Sequence, residues 1–82
     1  MLQLEIVTPS QTSTHEAEEI RLHTPGGDLG IRRGHMDLVT VALPGEIGLL
    51  TKKGAVDHLT TAGGTVMVTH TLVRLLTASV TE

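Results

Sequence analysis

The 82 residues suffice for one domain with a single small core, and because Phe, Trp and Tyr are absent that core must be aliphatic. The net charge of −3 and the lack of aromatic residues argue against nucleic-acid binding, which depends on basic patches and base stacking. There is no cysteine for a disulfide or a thiolate metal site, no apolar run of the roughly 20 residues that a membrane helix needs, and no signal-peptide pattern. We therefore expect one soluble, intracellular domain spanning residues 1–82.

Near the start of the chain, Leu2, Leu4 and Ile6 alternate with Gln3, Glu5 and Val7, and this period of two is typical of a β-strand. The first strand is predicted over residues 2–7 and ends at Pro9, because proline removes a backbone donor. Residues 12–16 are polar but rich in Thr, which indicates a short edge strand. A third series places Ile20 and Leu22 on one face of a strand.

The stretch 26–45 is unusually rich in glycine, and we expect the rest of the chain to be organised around it. Glycines at this density mark backbone that turns sharply or approaches another surface closely, and long ordered loops are usually functional. Within the stretch, Leu29 and Ile31 flank Gly30 in a short extended piece. Residues 38–43 are apolar at nearly every position, which predicts a segment buried on both faces.

The second half repeats the pattern of short strands separated by turn signals. Further strands are predicted at 46–52, 55–60, 66–69 and 72–78. The last of these places Leu72 and Leu76 on one face and Val73 and Leu75 on the other. Thr, Val and Ile favour pleated strands, and no stripe of 3.6-residue period has helical length. The sequence therefore predicts an all-β fold, an antiparallel β-sandwich or a flattened barrel.

Five histidines raise the alternative of a small β-barrel metal-binding protein or enzyme. They stand at positions 15, 23, 35, 58 and 70, without the close spacing of a ligand pair. A barrel could bring distant ligands together, as in a cupin-like site, although scattered histidines are common on strand surfaces. The serines lie in no nucleophile turn and the glycine stretch lacks a phosphate-loop ending, so we predict no catalytic residue, no metal and no cofactor.

A third hypothesis concerns the pair Lys52-Lys53 before Gly54. A lysine at a hairpin tip is the attachment point of lipoyl and biotinyl carrier domains, which are also small β-sandwiches. The flanking residues typical of those domains are missing, and the simpler interpretation is a solvated hairpin tip.

One ordered series of short motifs resembles a known family. It comprises Leu4-Glu5-Ile6-Val7-Thr8-Pro9, Gly27-Asp28-Leu29-Gly30-Ile31, Gly34-His35, Leu38-Val39-Thr40, Leu43-Pro44-Gly45 and Gly63-Gly64 with Val66 and Val68. This series, which runs through nearly the whole chain, is similar to the epsilon subunit of F-type ATP synthase. The glycine-containing part of the series is the specific part, whereas the other pieces are weak alone.

The resemblance implies a β-sandwich of about ten strands and a role without chemistry of its own. Members of this family are non-catalytic rotor subunits of the central stalk, which couple the gamma subunit to the membrane c ring in ATP synthesis and ion transport. The implied location is peripheral, on the cytoplasmic side of a bacterial inner membrane. No cofactor is implied, and the partners are the gamma subunit and the c ring.

The resemblance also implies which residues contact the c ring, because the family's loop equivalent to residues 27–38 faces the polar loops of that ring. Asp28 takes the place of an acidic residue there and His35 that of the family's loop histidine. The predicted c-ring contacts are Asp28, Arg32, Arg33, His35 and Asp37. Charged and polar groups at this density suit a polar docking surface.

The predicted gamma contacts follow from apolar strands that one sandwich cannot bury on both faces. Residues 38–43 and 72–78 are apolar on both sides, so some outer apolar surface should remain for a neighbouring protein. The predicted contacts with the gamma subunit are Leu38, Val41, Leu72 and Leu76.

The chain also departs from the family pattern. Arg33 and Asp37 stand where prolines are common, and Thr65 replaces a bulky residue, so we expect a less rigid and more charged loop. Family members continue into a carboxy-terminal helical hairpin that carries ATP-linked inhibition, whereas this sequence ends at Glu82. We therefore expect these 82 residues to couple without inhibiting and without binding ATP.

Overall fold

Strands account for most of the chain in the computed structural model, which describes residues 2–34 and 37–81. They are β1 (Leu2–Val7), β2 (Thr12–Ala17), β3 (Glu19–Thr24), β4 (Gly27–Arg32), β5 (Leu38–Ala42), β6 (Gly45–Leu50), β7 (Val56–Thr61), β8 (Gly64–Thr69), β9 (Leu72–Thr77) and β10 (Val80–Thr81). The described residues form no helix, and hence none that is long and apolar enough to cross a membrane.

The strands form two five-stranded sheets that stack as a sandwich, which confirms the predicted fold class and decides against the barrel. Sheet A has the strand order β2-β1-β9-β8-β5, and sheet B has the order β10-β7-β6-β3-β4. One pairing differs from the antiparallel prediction, because β1 and β9 run parallel, with Leu4 opposite Val73. The period of a strand does not encode the direction of its neighbour, so the sequence pattern alone could not reveal this pair.

The core lies between the sheets and is aliphatic, as the composition requires. Strand β1 shows the pattern most clearly, because Leu2, Leu4 and Ile6 are at most 1% exposed while Gln3 and Glu5 between them point outward. Sheet B contributes Ile20 and Ile31 from paired positions on β3 and β4, both fully buried. Each such side chain contributes about 1.5–3 kcal/mol when it leaves water.

Strand β5 differs from its prediction as a segment buried on both faces. Its side chains alternate, and Val39 and Val41 on the outer face are 70% and 51% exposed. The strand lies at the edge of sheet A and nothing in the described part of the chain covers that outer face. An apolar residue in a strand can therefore face solvent when the second layer lies on one side only.

The glycine-rich stretch 26–45 is also not a continuous loop. Residues 27–32 form β4, which pairs with β3 along its whole length, and 38–42 form β5. The connection between them runs from Arg33 to Asp37, of which His35 and Met36 lie outside the described residues. Gly30 therefore lies in a strand and not in a loop.

A buried hydrogen-bond network joins the two sheets where β7 passes into β8. The hydroxyls of Thr61 and Thr77 lie 3.0 Å apart, and that of Thr77 also donates to the carbonyl of Gly63 at 2.7 Å. Gly63 has a φ of +88°, and an added Cβ would lie 2.9 Å from the Ala42 carbonyl oxygen. At Gly64 the backbone is packed still more closely against the Leu76 carbonyl. This corner therefore requires both glycines.

We expect Gly64→Ala to lower the free energy of unfolding by about 2–3 kcal/mol, because the new methyl group overlaps the Leu76 carbonyl oxygen and one strand must shift. Gly30→Ala is the matched control, since Gly30 also lies in a strand and its Cβ would meet Glu19 only at 3.6 Å. The control should change stability by less than about 1 kcal/mol. Urea unfolding measures the free energy of unfolding of both variants, and equal decreases in the two would contradict the expectation.

Candidate interaction surfaces

The outer face of sheet A carries an apolar patch, which we call the apolar face. Its members are Val7, Val39, Val41, Met67, Leu72 and Leu76, all half-buried or exposed. Strand register brings them together: Val7 lies opposite Leu76, and Met67 lies opposite Val39. The patch is a consequence of strand alternation, because these positions alternate with buried ones that fill the core.

An ion pair lies within the apolar face. Arg74 on β9 is directly opposite Glu5 on β1, and its Nε donates to the Glu5 Oε1 at 2.8 Å. The two side chains are 43% and 30% exposed, so water still screens the pair. A partner that covered this face would meet mainly aliphatic groups around one neutralised pair of charges.

The four predicted gamma contacts do not share one surface. Leu72 and Leu76 point outward from β9 and Val41 from β5, all on the apolar face. Leu38 lies on the other side of β5, half-buried and packed against the core, so it contributes nothing to this surface. Val39 and Met67 were not among the predicted contacts, although strict alternation from Val41 and Val66 places both on this face.

The outer face of sheet B is polar and forms an open groove of about 510 Å³. Gly30 and Gly48 flank Arg21 across the sheet, and the absence of side chains there creates the depression. The groove is bordered by His23, Asp28, Glu46, Val56 and His58, among others. The Nδ1 atom of His23 lies 2.5 Å from Asp28 Oδ1, and that of His58 lies 3.9 Å from Glu46 Oε2.

A nearly buried carboxylate organises one end of this polar face. Glu19 on β3 is only 8% exposed, and it accepts hydrogen bonds from Arg21 Nε at 2.5 Å and from Arg32 Nε at 2.7 Å. The Arg21 and Arg32 side chains are 73% and 69% exposed. Hydrogen bonds from Arg21 and then Arg32 hold the pKa of the Glu19 carboxyl below its ordinary value, although partial burial opposes them. Glu19 was not among the predicted site residues, because one of its two arginine partners, Arg32, is brought to it only by strand pairing.

The turn between β4 and β5 is tied to the turn between β8 and β9. The N–H of Gly34 donates to the His70 carbonyl at 3.1 Å, and the N–H of His70 donates to Asp37 Oδ1 at 3.2 Å. Asp37 is therefore a structural partner of the neighbouring turn, while Arg33 is exposed. These turns form one end of the sandwich, which we call the turn end.

The structure separates the predicted c-ring contacts. Arg32, Arg33 and Asp37 lie at the turn end, and His35 lies outside the described residues. Asp28 lies four residues before Arg32 on the same strand, about 13 Å away at 3.3 Å per residue. Asp28 instead belongs to the far end of β4, where it pairs with His23. A motif that is continuous in sequence thus spans the length of a strand.

The histidines do not assemble a metal centre in the part of the chain that the structure describes. No group of three or more potential ligands occurs within residues 2–34 and 37–81, so the metal-binding hypothesis receives no support. His15 lies on the inner side of β2, whereas His23 and His58 face out of sheet B. Lys52 and Lys53 are exposed in the connection between β6 and β7, as a solvated hairpin tip would be.

These features define an all-β sandwich with one apolar and one polar outer face. Over residues 1–82 the sequence matches the family described as ATP synthase, Delta/Epsilon chain, beta-sandwich domain. The chain belongs to this family, which confirms the resemblance inferred from the glycine-containing motifs.

Solved structures of similar fold come from ATP synthase assemblies. A chain of the Euglena gracilis mitochondrial ATP synthase, in a structure of OSCP/F1/c-ring in rotational state 1, aligns with a TM-score of 0.85, 21% identity and 94% coverage of this chain. A chain of the Tetrahymena thermophila mitochondrial ATP synthase central stalk/c-ring structure aligns with a TM-score of 0.78, 16% identity and 99% coverage. The present chain spans 50% and 66% of those chains, respectively.

The Glu19 cluster predicts a specific pH dependence of stability. Because the folded pKa of Glu19 is lowered, its stabilising effect is present above the ordinary value of 4.5 and is lost as the pH falls through the folded pKa. Glu19→Gln should therefore lower the urea midpoint at pH 7, and the difference from wild type should shrink towards pH 3. Glu46→Gln, an exposed control, should not reproduce this change. A Glu19→Gln deficit that stays constant between pH 7 and pH 3 would contradict the assignment.

Proposed function

We propose that this chain is a non-catalytic rotor subunit of the central stalk of an F-type ATP synthase, where it couples the gamma subunit to the c ring. The observation that carries the proposal is the family match, which extends over all 82 residues. The assemblies that contain its structural neighbours, a central stalk/c-ring structure among them, support the same context. The chain would act in ATP synthesis and ion transport by transmitting torque, with no chemistry and no cofactor of its own.

The apolar face is the surface that we assign to the gamma subunit. Val41, Leu72 and Leu76 present aliphatic groups that gain free energy when a partner removes them from water. The central Arg74–Glu5 pair is already neutralised, so covering it leaves no unpaired charge. Scattered exposed apolar residues need no explanation, but a contiguous patch across four strands favours a protein partner.

The turn end is the surface that we assign to the c ring. Arg32, Arg33 and Asp37 place charges of both signs there, with His35 between them in the sequence. Such a surface favours polar contacts that set orientation and attachment rate more than affinity. Asp28 reaches the same partner only if β4 lies along the ring surface, because it is at the far end of the strand. As a subunit of the stalk, the chain would be a peripheral membrane protein on the cytoplasmic side of a bacterial inner membrane.

The gamma assignment is tested by a matched pair of variants on opposite outer faces. Val41 on sheet A and Val56 on sheet B are 51% and 52% exposed, so each valine can be changed to Asp at equal solvent exposure. We expect Val41→Asp to weaken binding of the purified gamma subunit at least tenfold, because it places a charge in an apolar interface. Val56→Asp should change the dissociation constant less than threefold. Isothermal titration calorimetry measures both, and thermal unfolding checks that each variant is folded.

If Val56→Asp weakened gamma binding more than Val41→Asp, the gamma-binding surface would lie on sheet B and not on the apolar face. The absence of any complex with wild-type chain at micromolar concentration would contradict the proposed function itself.

The ring assignment is tested at the turn end. We expect Arg33→Glu to reduce retention of the central stalk on the c ring several-fold and to reduce ATP-driven ion pumping in reconstituted vesicles, while the fold is unchanged. Asp28→Lys, also a charge reversal on an exposed residue, should have a smaller effect because it lies about 13 Å away along β4. Equal losses would show that the ring contacts the length of β4, and normal retention and pumping by both variants would contradict the assignment.

A further inference from the structure

The four sheet edges are not equally protected against an added strand. Exposed edges of native sheets are normally short or carry charged residues, because an unpaired row of backbone groups recruits other strands. Strand β2 carries His15 and Glu16, β4 carries Asp28 and Arg32, and β10 has two residues. Strand β5 has five residues, the sequence Leu-Val-Thr-Val-Ala, and no charge. It is thus the unprotected edge among the described strands.

Neighbouring hydrogen bonds show which side of β5 is open. His70 follows β8, and its carbonyl and N–H both bond to the segment just before β5, through Gly34 and Asp37. The backbone of His70 therefore points towards the β5 side. Since backbone groups in a strand point to alternate sides, those of Val68 and Val66 point the same way.

The strand register extends this alternation to β5. Val68 and Val66 lie opposite Leu38 and Thr40, so these two residues of β5 direct their backbone groups towards β8. The N–H and C=O groups of Val39 and Val41 then point away from the sheet. The N–H of Leu43, two residues further, fits this pattern because it donates to His23 in sheet B and not to β8.

We propose that β5 binds an extended segment of the gamma subunit as an added strand of sheet A. This inference rests on the proposed function, and it specifies how that partner is held. The segment would exchange backbone hydrogen bonds with Val39 and Val41, which only another extended backbone can satisfy in a row. Its side chains on the outer side would be uncharged and aliphatic, because they continue a surface formed by Val39, Val41 and Met67.

Continuity with the apolar face, which we assign to the gamma subunit, favours the gamma subunit as the occupant of the edge. The side chains of Val39 and Val41 belong to both the open edge and the apolar face. One partner that covers the apolar face and adds a strand would therefore bury both features with one surface. Strand addition also fixes the register and orientation of the partner. A shift by one residue would turn every side chain of the added strand to the opposite face of the sheet.

Amide hydrogen exchange measured by NMR tests the proposal residue by residue. In the free chain, the amides of Val39 and Val41 should exchange rapidly, whereas that of Thr40 should be protected by its bond to β8. On binding the purified gamma subunit, exchange at Val39 and Val41 should slow at least tenfold. The Glu18 amide, which donates to the Leu50 carbonyl of the other sheet at 2.7 Å, reports any general change in stability.

A pair of substitutions gives an independent measurement. Val39→Pro removes the outward N–H and should weaken gamma binding at least tenfold, because a proline is tolerated at an open edge but cannot donate. Val39→Thr retains the N–H and the side-chain shape and should change binding less than threefold. If Val39→Pro does not fold, the exchange measurement on the wild-type chain still decides the question.

The outcomes separate this inference from the proposed function. A complex in which Val39 and Val41 still exchange rapidly would overturn strand addition and leave the rotor role intact. Protection of these amides in the chain alone, with a doubled molecular mass at high concentration, would show that a second copy occupies the edge and would overturn the inference. Failure to bind the gamma subunit at all would overturn both.

Discussion

The interdigitation of aliphatic side chains between two sheets is the constraint on which the rest of this structure depends. Without Phe, Trp or Tyr, no single side chain buries a large area, so many small contributions must add up. Both sheets must therefore approach closely along their whole length. The corner at Gly63 and Gly64 follows from this constraint, because the backbone there lies against β5 and β9 with no room for a side chain.

The same constraint makes the two outer faces independent of the core and free to differ. Because side chains alternate along a strand, every second residue points outward and does not pack in the core between the sheets. On sheet A these positions are mainly aliphatic, with the Arg74–Glu5 pair among them. On sheet B they hold Arg21, His23 and His58 with carboxylate partners. The sandwich is therefore chemically asymmetric, with one mainly aliphatic and one polar outer face.

Much of the fold could be predicted from local pattern, whereas the candidate surfaces could be predicted only in part. A period of two correctly placed Ile20 with Leu22, and Val73 with Leu75, on one face of their strands, and all four are buried. The same rule identified the outward positions of Leu72 and Leu76. It failed at β5, because an unbroken apolar run suggests burial on both faces and gives no sign that the strand lies at an edge.

The sequence by itself determined most of the strands, the aliphatic core and the family, because these depend on residue order and on motifs such as Gly34-His35. Only the tertiary structure decided the parallel pairing of β1 with β9, the open edge at β5 and the two arginines that converge on Glu19. Each of these joins residues that are distant in the chain or depends on what lies across a sheet. Local periodicity indicates which side of a strand a residue occupies. The packing of the whole chain determines which residues lie next to it on that side.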